Sequence, residues 1–405
     1  MLTVHHDMIE QDGQYFPYLA DTAWTLLQRL TREEILFYLD KRKAQGFNAV
    51  QVSAISELDG QRTPTPEGLL PFVGGNVRKP CRAYFDKLCF VADACAARGM
   101  VLTLLPYWGD AFNRKWGIGP EIFTPGNSAA YGRHLAGRIG RRENIIWMLG
   151  GDRPIETPLH REIIDATAGG LREGEFVRHP MTYHPNGENS SAFFLGDADY
   201  IDFHSIQSGH SFGGYKSERL LKKSRSVGKK PVLDAECFYE DFPLGFELSW
   251  QYRFTPRDIR GRLYENLLTG TLGHTYGHQS VWCFREQPDA EYLYDWRTAL
   301  DRPGAGQMRH INTLRRAVGA AWAKPGQRPH GIRVLEGNGF ALTYLPDTAP
   351  RFIQRQQPER LRYVTWFDPE SGRFSAAAEN TAPQFTAISP WDHDSVLIFS
   401  EEPMG

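Results

Sequence analysis

The sequence predicts a (β/α)8 TIM barrel followed by a small antiparallel β-sandwich, and three observations carry that reading. From residue 18 to about residue 316, short apolar runs alternate with helical patterns, as βα units around a parallel sheet do. Eight units fit one register, which puts a barrel first and a doubly wound open sheet second. After "AKPGQRPHG" at 323–331 the pattern changes to period-two runs split by turn formers. The expected division is a barrel domain over 1–325 and a β-sandwich domain over 326–405.

The elements follow in order. "YLADT" at 18–22 is the first strand. In "TREEILFYLDKRKAQG" at 31–46, Thr31 caps a helix, Glu34 completes a capping box and Gly46 stops it. "FNAVQVSAI" at 47–55 is the second strand, and "YFDKLCFVADACAARG" at 84–99 is an amphipathic helix. "MVLTLLPYW" at 100–108 is the third strand, and "NIIWMLGGDRP" at 144–154 supplies the fourth after a helix near 126–141. The fifth and sixth strands fall within 176–185 and 200–210, and the seventh is "KPVLDAEC" at 230–237. A helix at 256–269, an eighth strand at 273–284 and a last helix at 307–318 complete the barrel. The tail contributes "FALTYLP", "RYVTWFDPESGRF", "FTAISP" and "SVLIFS" as antiparallel strands.

The 405 residues suit a barrel with an appendage and can bury a sizeable core. A net charge of -2 gives no field for nucleic acid or an anionic membrane, so a neutral or small substrate is favoured. The five cysteines lack CxxC spacing and indicate neither zinc site nor disulfide framework; no cofactor and no metal are expected. The N-terminus has no basic region followed by an apolar run, and no 18 apolar residues run together. The expectation is a cytoplasmic protein without membrane contact, for which a homo-oligomer is allowed.

Chemistry in a TIM barrel sits at the C-terminal ends of the strands, so the polar residue after each apolar run is the candidate. Asp152 ends the fourth strand and Glu236 the seventh, on opposite sides of the barrel mouth. Glycoside hydrolysis needs such a pair: one carboxyl protonates the leaving oxygen while the other attacks the anomeric carbon, about 5 to 5.5 Å apart in a retaining enzyme. Candidate substrate-binding residues are Asp21, Trp24, Trp108, Tyr183, His184, His204, His210, Tyr239, Tyr276, His278 and Trp282. Their aromatic rings would stack on a sugar's apolar face.

Plainer readings stand beside these. After two glycines, Asp152 also fits a helix cap or a bridge to Arg153, and spacing alone does not choose. Asp21 reads as a structural hydrogen-bond acceptor or a hydroxyl binder. Glu236 follows Asp234 on an otherwise apolar strand, and two acids on a buried strand demand a use or an ion pair. The rivals are a non-hydrolytic sugar-binding barrel, a transglycosylase and a metal-dependent hydrolase. The last lacks the usual HxH pair, since "LADTAW" offers one aspartate.

"YLADTAWTLLQRLTREEILFYLDKRKAQGFNAVQV", "NIIWMLGGDRP", "KPVLDAECFYED", "GHTYGHQSVW" and "YVTWFDPESGRF" together resemble the apiosidase-like (DUF4038) family, glycoside hydrolase family 140 and its relatives. The similarity runs over nearly the whole chain. It implies a retaining barrel in which Asp152 of the "GGD" stretch is acid/base and Glu236 is nucleophile. Related barrels place Asn-Glu where this sequence has Gly151-Asp152, so the shorter acid must be carried nearer the glycosidic oxygen by its loop. The resemblance further implies an exo-acting enzyme releasing a terminal sugar, apiose in characterised members, from a plant-derived glycoside or oligosaccharide.

Overall fold

The computed structural model describes residues 1–5, 7–211, 214–319, 323–327 and 332–404. The chain forms two compact units, one of residues 1–253 and 272–301, the other of residues 254–271 and 302–405.

The first unit opens with a three-stranded antiparallel sheet of β1 (Leu2–His5), β2 (Met8–Gln11) and β3 (Gln14–Tyr15). The alternating elements follow as β4 (Tyr18–Thr22), α1 (Leu26–Arg29), α2 (Arg32–Ala44), β5 (Ala49–Ser53), α3 (Arg82–Ala96), β6 (Val101–Leu105) and α4 (Pro125–Ile139). They continue as β7 (Ile145–Gly150), α5 (Pro158–Gly174), β8 (Met181–His184), β9 (Asn189–Ser190), α6 (Ala192–Leu195), β10 (His204–Gln207), α7 (Gly214–Gly228) and β11 (Val232–Glu236). Helix α8 (Pro256–Leu268) leaves for the second unit, and β12 (Gly273–Tyr276) and α9 (Trp296–Ala299) complete the first.

Six strands form one curled parallel sheet in the order β12-β4-β5-β6-β7-β8, and β10 pairs in parallel with β11 and antiparallel with β9. Strands β4, β5, β6, β7 and β11 are buried at every position, as expected where helices cover one face and side chains fill the other. Tyr18, Trp24, Ile146, Met148, Leu233 and Ala235 meet in the core inside the curled sheet. The capping box of Thr31 and Glu34 forms, and Gly46 and Gly99 sit at positive φ just past α2 and α3. Among the described residues no helix is long and apolar enough to cross a membrane.

The eighth strand is shorter than the 273–284 read from the sequence. It stops at Tyr276, and from His278 to Phe284 the chain curls through turns in which Val281 and Trp282 donate to the His278 carbonyl. Gly277 permits this bend beside a ring, since a Cβ there would lie 2.1 Å from Tyr239. The fifth and sixth strands are likewise trimmed, to Met181–His184 and His204–Gln207.

The second unit joins α8, α10 (Pro303–Met308) and α11 (His310–Val318) to antiparallel sheets. Its strands are β13 (Ala323–Gln327), β14 (Arg333–Gly337), β15 (Phe340–Leu345), β16 (Arg351–Gln354), β17 (Tyr363–Phe367), β18 (Ala378–Glu379), β19 (Gln384–Ala387) and β20 (Ser395–Ser400). The larger sheet runs β13-β14-β15-β20-β17-β18, and β16 pairs with β19. Val334, Val364, Leu397 and Phe399 of the large sheet share a core with Ile353 and Ala387 of the small one. The segment 323–331, after which the sequence pattern changes, begins as strand β13, and 328–331 lie outside the described residues. Helices α8 and α11, read from the sequence as the last barrel helices, group with these sheets: Arg260 of α8 makes a forked pair with buried Asp394, which also accepts from Tyr344 at 3.0 Å.

Candidate active site

The opening feature of the site is the turn after β7. Gly150 and Gly151 take φ of +80° and +126°, and a Cβ on Gly150 would meet the Tyr183 ring at 2.6 Å. A Cβ on Gly151 would lie 2.9 Å from the Gly109 nitrogen and 3.0 Å from Trp108. Only glycine fits both backbone and space here. The turn hands Asp152 over in a left-handed conformation, φ 52°, which an aspartate tolerates better than most residues.

Asp152 Oδ2 accepts from Trp116 Nε1 at 2.7 Å and from Arg153 Nη1 at 2.9 Å. Arg153 is buried, and its guanidinium stacks 4.5 Å from the Trp116 ring centroid. Burial, then the Glu236 charge, push the Asp152 carboxyl above its ordinary range; Arg153, Trp116 and His184 offset part of the shift.

Glu236 ends β11 and faces two histidines. His210 Nε2 lies 3.0 Å from Oε1 in a hydrogen bond, and His184 Nε2 lies 3.1 Å from Oε2, near enough to attract but off hydrogen-bond alignment. His184 Nδ1 accepts the Asp152 backbone N–H at 3.2 Å, so its ring proton sits on Nε2, facing Glu236. The His210 ring stacks on Phe242 with centroids 4.1 Å apart. Burial alone would raise the Glu236 carboxyl, but the two histidines outweigh it and hold it at about 2.

Both carboxyls line one cavity of about 680 Å³ within the first unit. Trp24, Trp108, His210, Tyr239 and Trp282, named from the sequence, line it too. Trp24 donates to the Tyr239 hydroxyl at 3.1 Å and packs 5.1 Å from Trp108, which joins the walls of the pocket. Burial and the adjacent Glu236 charge keep the Tyr239 phenol protonated.

The other named residues lie outside the lining. Asp21 is fully buried, accepting from Arg42 Nε at 2.6 Å and the Tyr38 hydroxyl at 2.5 Å. Tyr276 donates to Glu240 at 2.6 Å. Tyr183 donates to the Arg153 carbonyl at 2.6 Å, behind the Asp152 turn. His184 stands behind the wall, between the two carboxyl residues. His204 pairs with the Ser191 hydroxyl at 2.9 Å, and burial pulls its pKa down to about 4. His278 is 3.1 Å from Asp241.

The lining also holds Glu57, Trp116, Glu188, Gln207, Phe242 and Phe246, which strand-end reading passed over. Glu57 had a signal, being the first charged residue after the second strand. Trp116 and Phe246 had none, since they reach the cavity on loops. Among the described residues no group of three or more His, Cys, Asp and Glu side chains is arranged to hold a metal ion.

Comparison with known proteins adds the family. No curated protein matches the chain. Among solved structures, a glycoside hydrolase family 5 protein from Bacteroides vulgatus ATCC 8482 superposes with a TM-score of 0.85 at 26% identity, covering 99% of this chain and 93% of its own. A second structure, described as a glycoside hydrolase, superposes with a TM-score of 0.83 at 23% identity, covering 99% and 97%. The family model "Apiosidase-like, catalytic domain" matches residues 4–320, so the chain belongs to the apiosidase-like family and is an enzyme of the glycoside hydrolase class.

Proposed function

We propose that this chain is a retaining, exo-acting glycoside hydrolase that removes a terminal sugar from a plant-derived glycoside or oligosaccharide, with Glu236 as nucleophile and Asp152 as acid/base. The observation that carries the reading is one cavity holding two carboxyls whose surroundings push them apart. Asp152 is raised toward its protonated form, and Glu236 is held ionised at about 2. Such divergence is how one site keeps an acid and a nucleophile side by side.

In the first step Glu236 attacks the anomeric carbon while Asp152 protonates the departing oxygen, leaving a glycosyl ester on Glu236. Asp152, now ionised, takes a proton from water as that water attacks the same carbon, and the ester bond to Glu236 breaks. The two displacements retain the anomeric configuration.

The scaffold reading is a closed (β/α)8 barrel. Its support is the stitching at both edges of the six-stranded sheet: Asp202 N–H donates to the Met181 carbonyl at 2.8 Å, and Leu272 N–H to the Val232 carbonyl at 3.0 Å. The exo reading is supported by a cavity of about 680 Å³, within the range of roughly 300–1,000 Å³ that suits a small ligand.

The test is hydrolysis of aryl glycosides by Glu236→Gln and Asp152→Asn, with the first-formed anomer followed by NMR. Glu236→Gln is expected to lose activity on every substrate. Asp152→Asn is expected to lose it on poor leaving groups and to keep much of it on good ones. Full activity in Glu236→Gln, or an inverted first product, would falsify the assignment.

A further inference from the structure

We propose that Glu57 is a substrate-recognition residue of this cavity, presenting its carboxyl to hydroxyls of an uncharged sugar, and that the acidic wall it belongs to excludes anionic sugars. The proposal rests on the glycosidase reading above and adds the class of sugar.

Glu57 lies four residues past β5, in the cavity wall with Asp152 and Glu236. Its carboxyl has no hydrogen bond among the described residues, although both neighbouring carboxyls do. Burial first, then the charges of Asp152 and Glu236, push it well above the usual carboxylate range, with Arg153 partly opposing. A neutral carboxyl both donates and accepts, as a sugar hydroxyl does, and a polar group without a partner in a recognition site matches a ligand that brings one.

The loop spends backbone strain on this placement. Leu58 and Asp59 directly after Glu57 are both left-handed, with φ of 57° and 63°. The turn is pinned: Gly60 N–H donates to the Ser56 carbonyl at 3.1 Å, and the Asp59 carboxylate receives Arg62 Nε at 2.9 and 3.0 Å. Gly60 is itself obligatory, since a Cβ would lie 2.6 Å from the Ser56 carbonyl. Consecutive non-glycine residues in this conformation persist where the surroundings over-determine them, and such places concentrate at ligand sites.

The wall also sets the charge class. Glu57, Asp152, Glu188 and Glu236 are in the lining, and among the described lining residues there is no lysine or arginine. Arg153, stacked on Trp116 of the wall, is itself buried and committed to Asp152. A uronate or sulfated sugar entering here would meet the ionised Glu236 with no lysine or arginine in the lining to offset it.

The test compares wild type, Glu57→Gln and Glu57→Ala on p-nitrophenyl pentosides and hexosides together with the matching uronides, after circular dichroism and a thermal melt establish that each variant folds. Wild type is expected to cleave neutral glycosides and leave the uronides. Glu57→Ala is expected to raise KM about tenfold, the loss of one to two hydrogen bonds, with kcat moved less. Glu57→Gln, whose amide still donates and accepts, should recover part of that loss, and it decides the matter if the alanine variant melts early. An unchanged KM in both variants, or uronides cleaved as fast as their neutral partners, overturns the proposal and leaves the glycosidase reading standing. Glu57→Gln as inactive as Glu236→Gln also overturns it, because Glu57 would then belong to bond breaking. If no glycoside is cleaved, calorimetric titration with free neutral sugars and uronates carries the same comparison. Neutral sugars bound by wild type and weakened in Glu57→Ala support it, and no such difference overturns it.

Discussion

His184 couples the two carboxyl residues of the cavity: its Nδ1 takes the backbone N–H of Asp152 at 3.2 Å while its Nε2 stands 3.1 Å from Oε2 of Glu236. One imidazole thereby sets the position of the proposed acid and the charge of the proposed nucleophile. His184→Ala should lower kcat about a hundredfold, the cost of roughly an ångström of misplacement, with KM less affected. Steady-state kinetics with a neutral aryl glycoside reads this, and a kcat within twofold of wild type would sink it.

The opposed shifts of Asp152 and Glu236 predict a pH profile. The reactive form has Glu236 ionised and Asp152 protonated, so the rate falls as pH rises through the Asp152 pKa and holds at low pH until Glu236 protonates near 2. Trp116→Phe removes a hydrogen bond that favours ionised Asp152 and should move the alkaline limb to higher pH. His210→Ala removes a bond that favours ionised Glu236 and should move the acid limb upward. Profiles of kcat/KM check both directions, and a shift of either limb the opposite way would contradict the electrostatic account.

Glu236 also links acidity to stability. A carboxyl held below its unfolded value stabilises the fold above pH 4.5 and loses that contribution as pH falls from 4.5 to about 2. Glu236→Gln should therefore flatten the acid side of a stability-against-pH curve between those values. Urea midpoints at a series of pH values measure it, and parallel curves for the two proteins would refute it.

Gly151→Ala should destabilise the fold by about 1–3 kcal/mol, because alanine is strained at φ +126° and its Cβ meets Gly109 and Trp108. Activity should fall further than stability accounts for, since Asp152 is the next residue. A thermal melt with kinetics at a temperature where the variant is folded separates the two effects.

Asp21→Ala should cost about 3–5 kcal/mol, as it leaves Arg42 charged and fully buried without its partner. Denaturant titration tests this; a loss under 1 kcal/mol would show the pair to be dispensable.

The two unlike fates of strand-end acids show what was legible. Asp152 and Glu236 follow apolar runs and reach the cavity, yet Asp21 follows one too and turns to the helix layer, where Tyr38 and Arg42 of α2 take its carboxylate. Adjacent residues of a strand face opposite sides, so rank along the chain cannot separate them without the partner's position. Tyr276 goes the same way, its ring near Arg42 and its hydroxyl on Glu240.

By itself the sequence determined the alternation of elements, the buried parallel strands, the capped helix at Thr31 and the antiparallel tail, because periodicity and caps are local. It also marked the two carboxyls and the glycines before Asp152. Only the tertiary structure decided that His184 lies between them, that Glu57 and Trp116 join them, and that Trp282 arrives from a turn after a shortened strand. Those placements depend on loop paths and on partners far apart in sequence, as when Trp24 meets Tyr239 across 215 residues, and no local pattern encodes them.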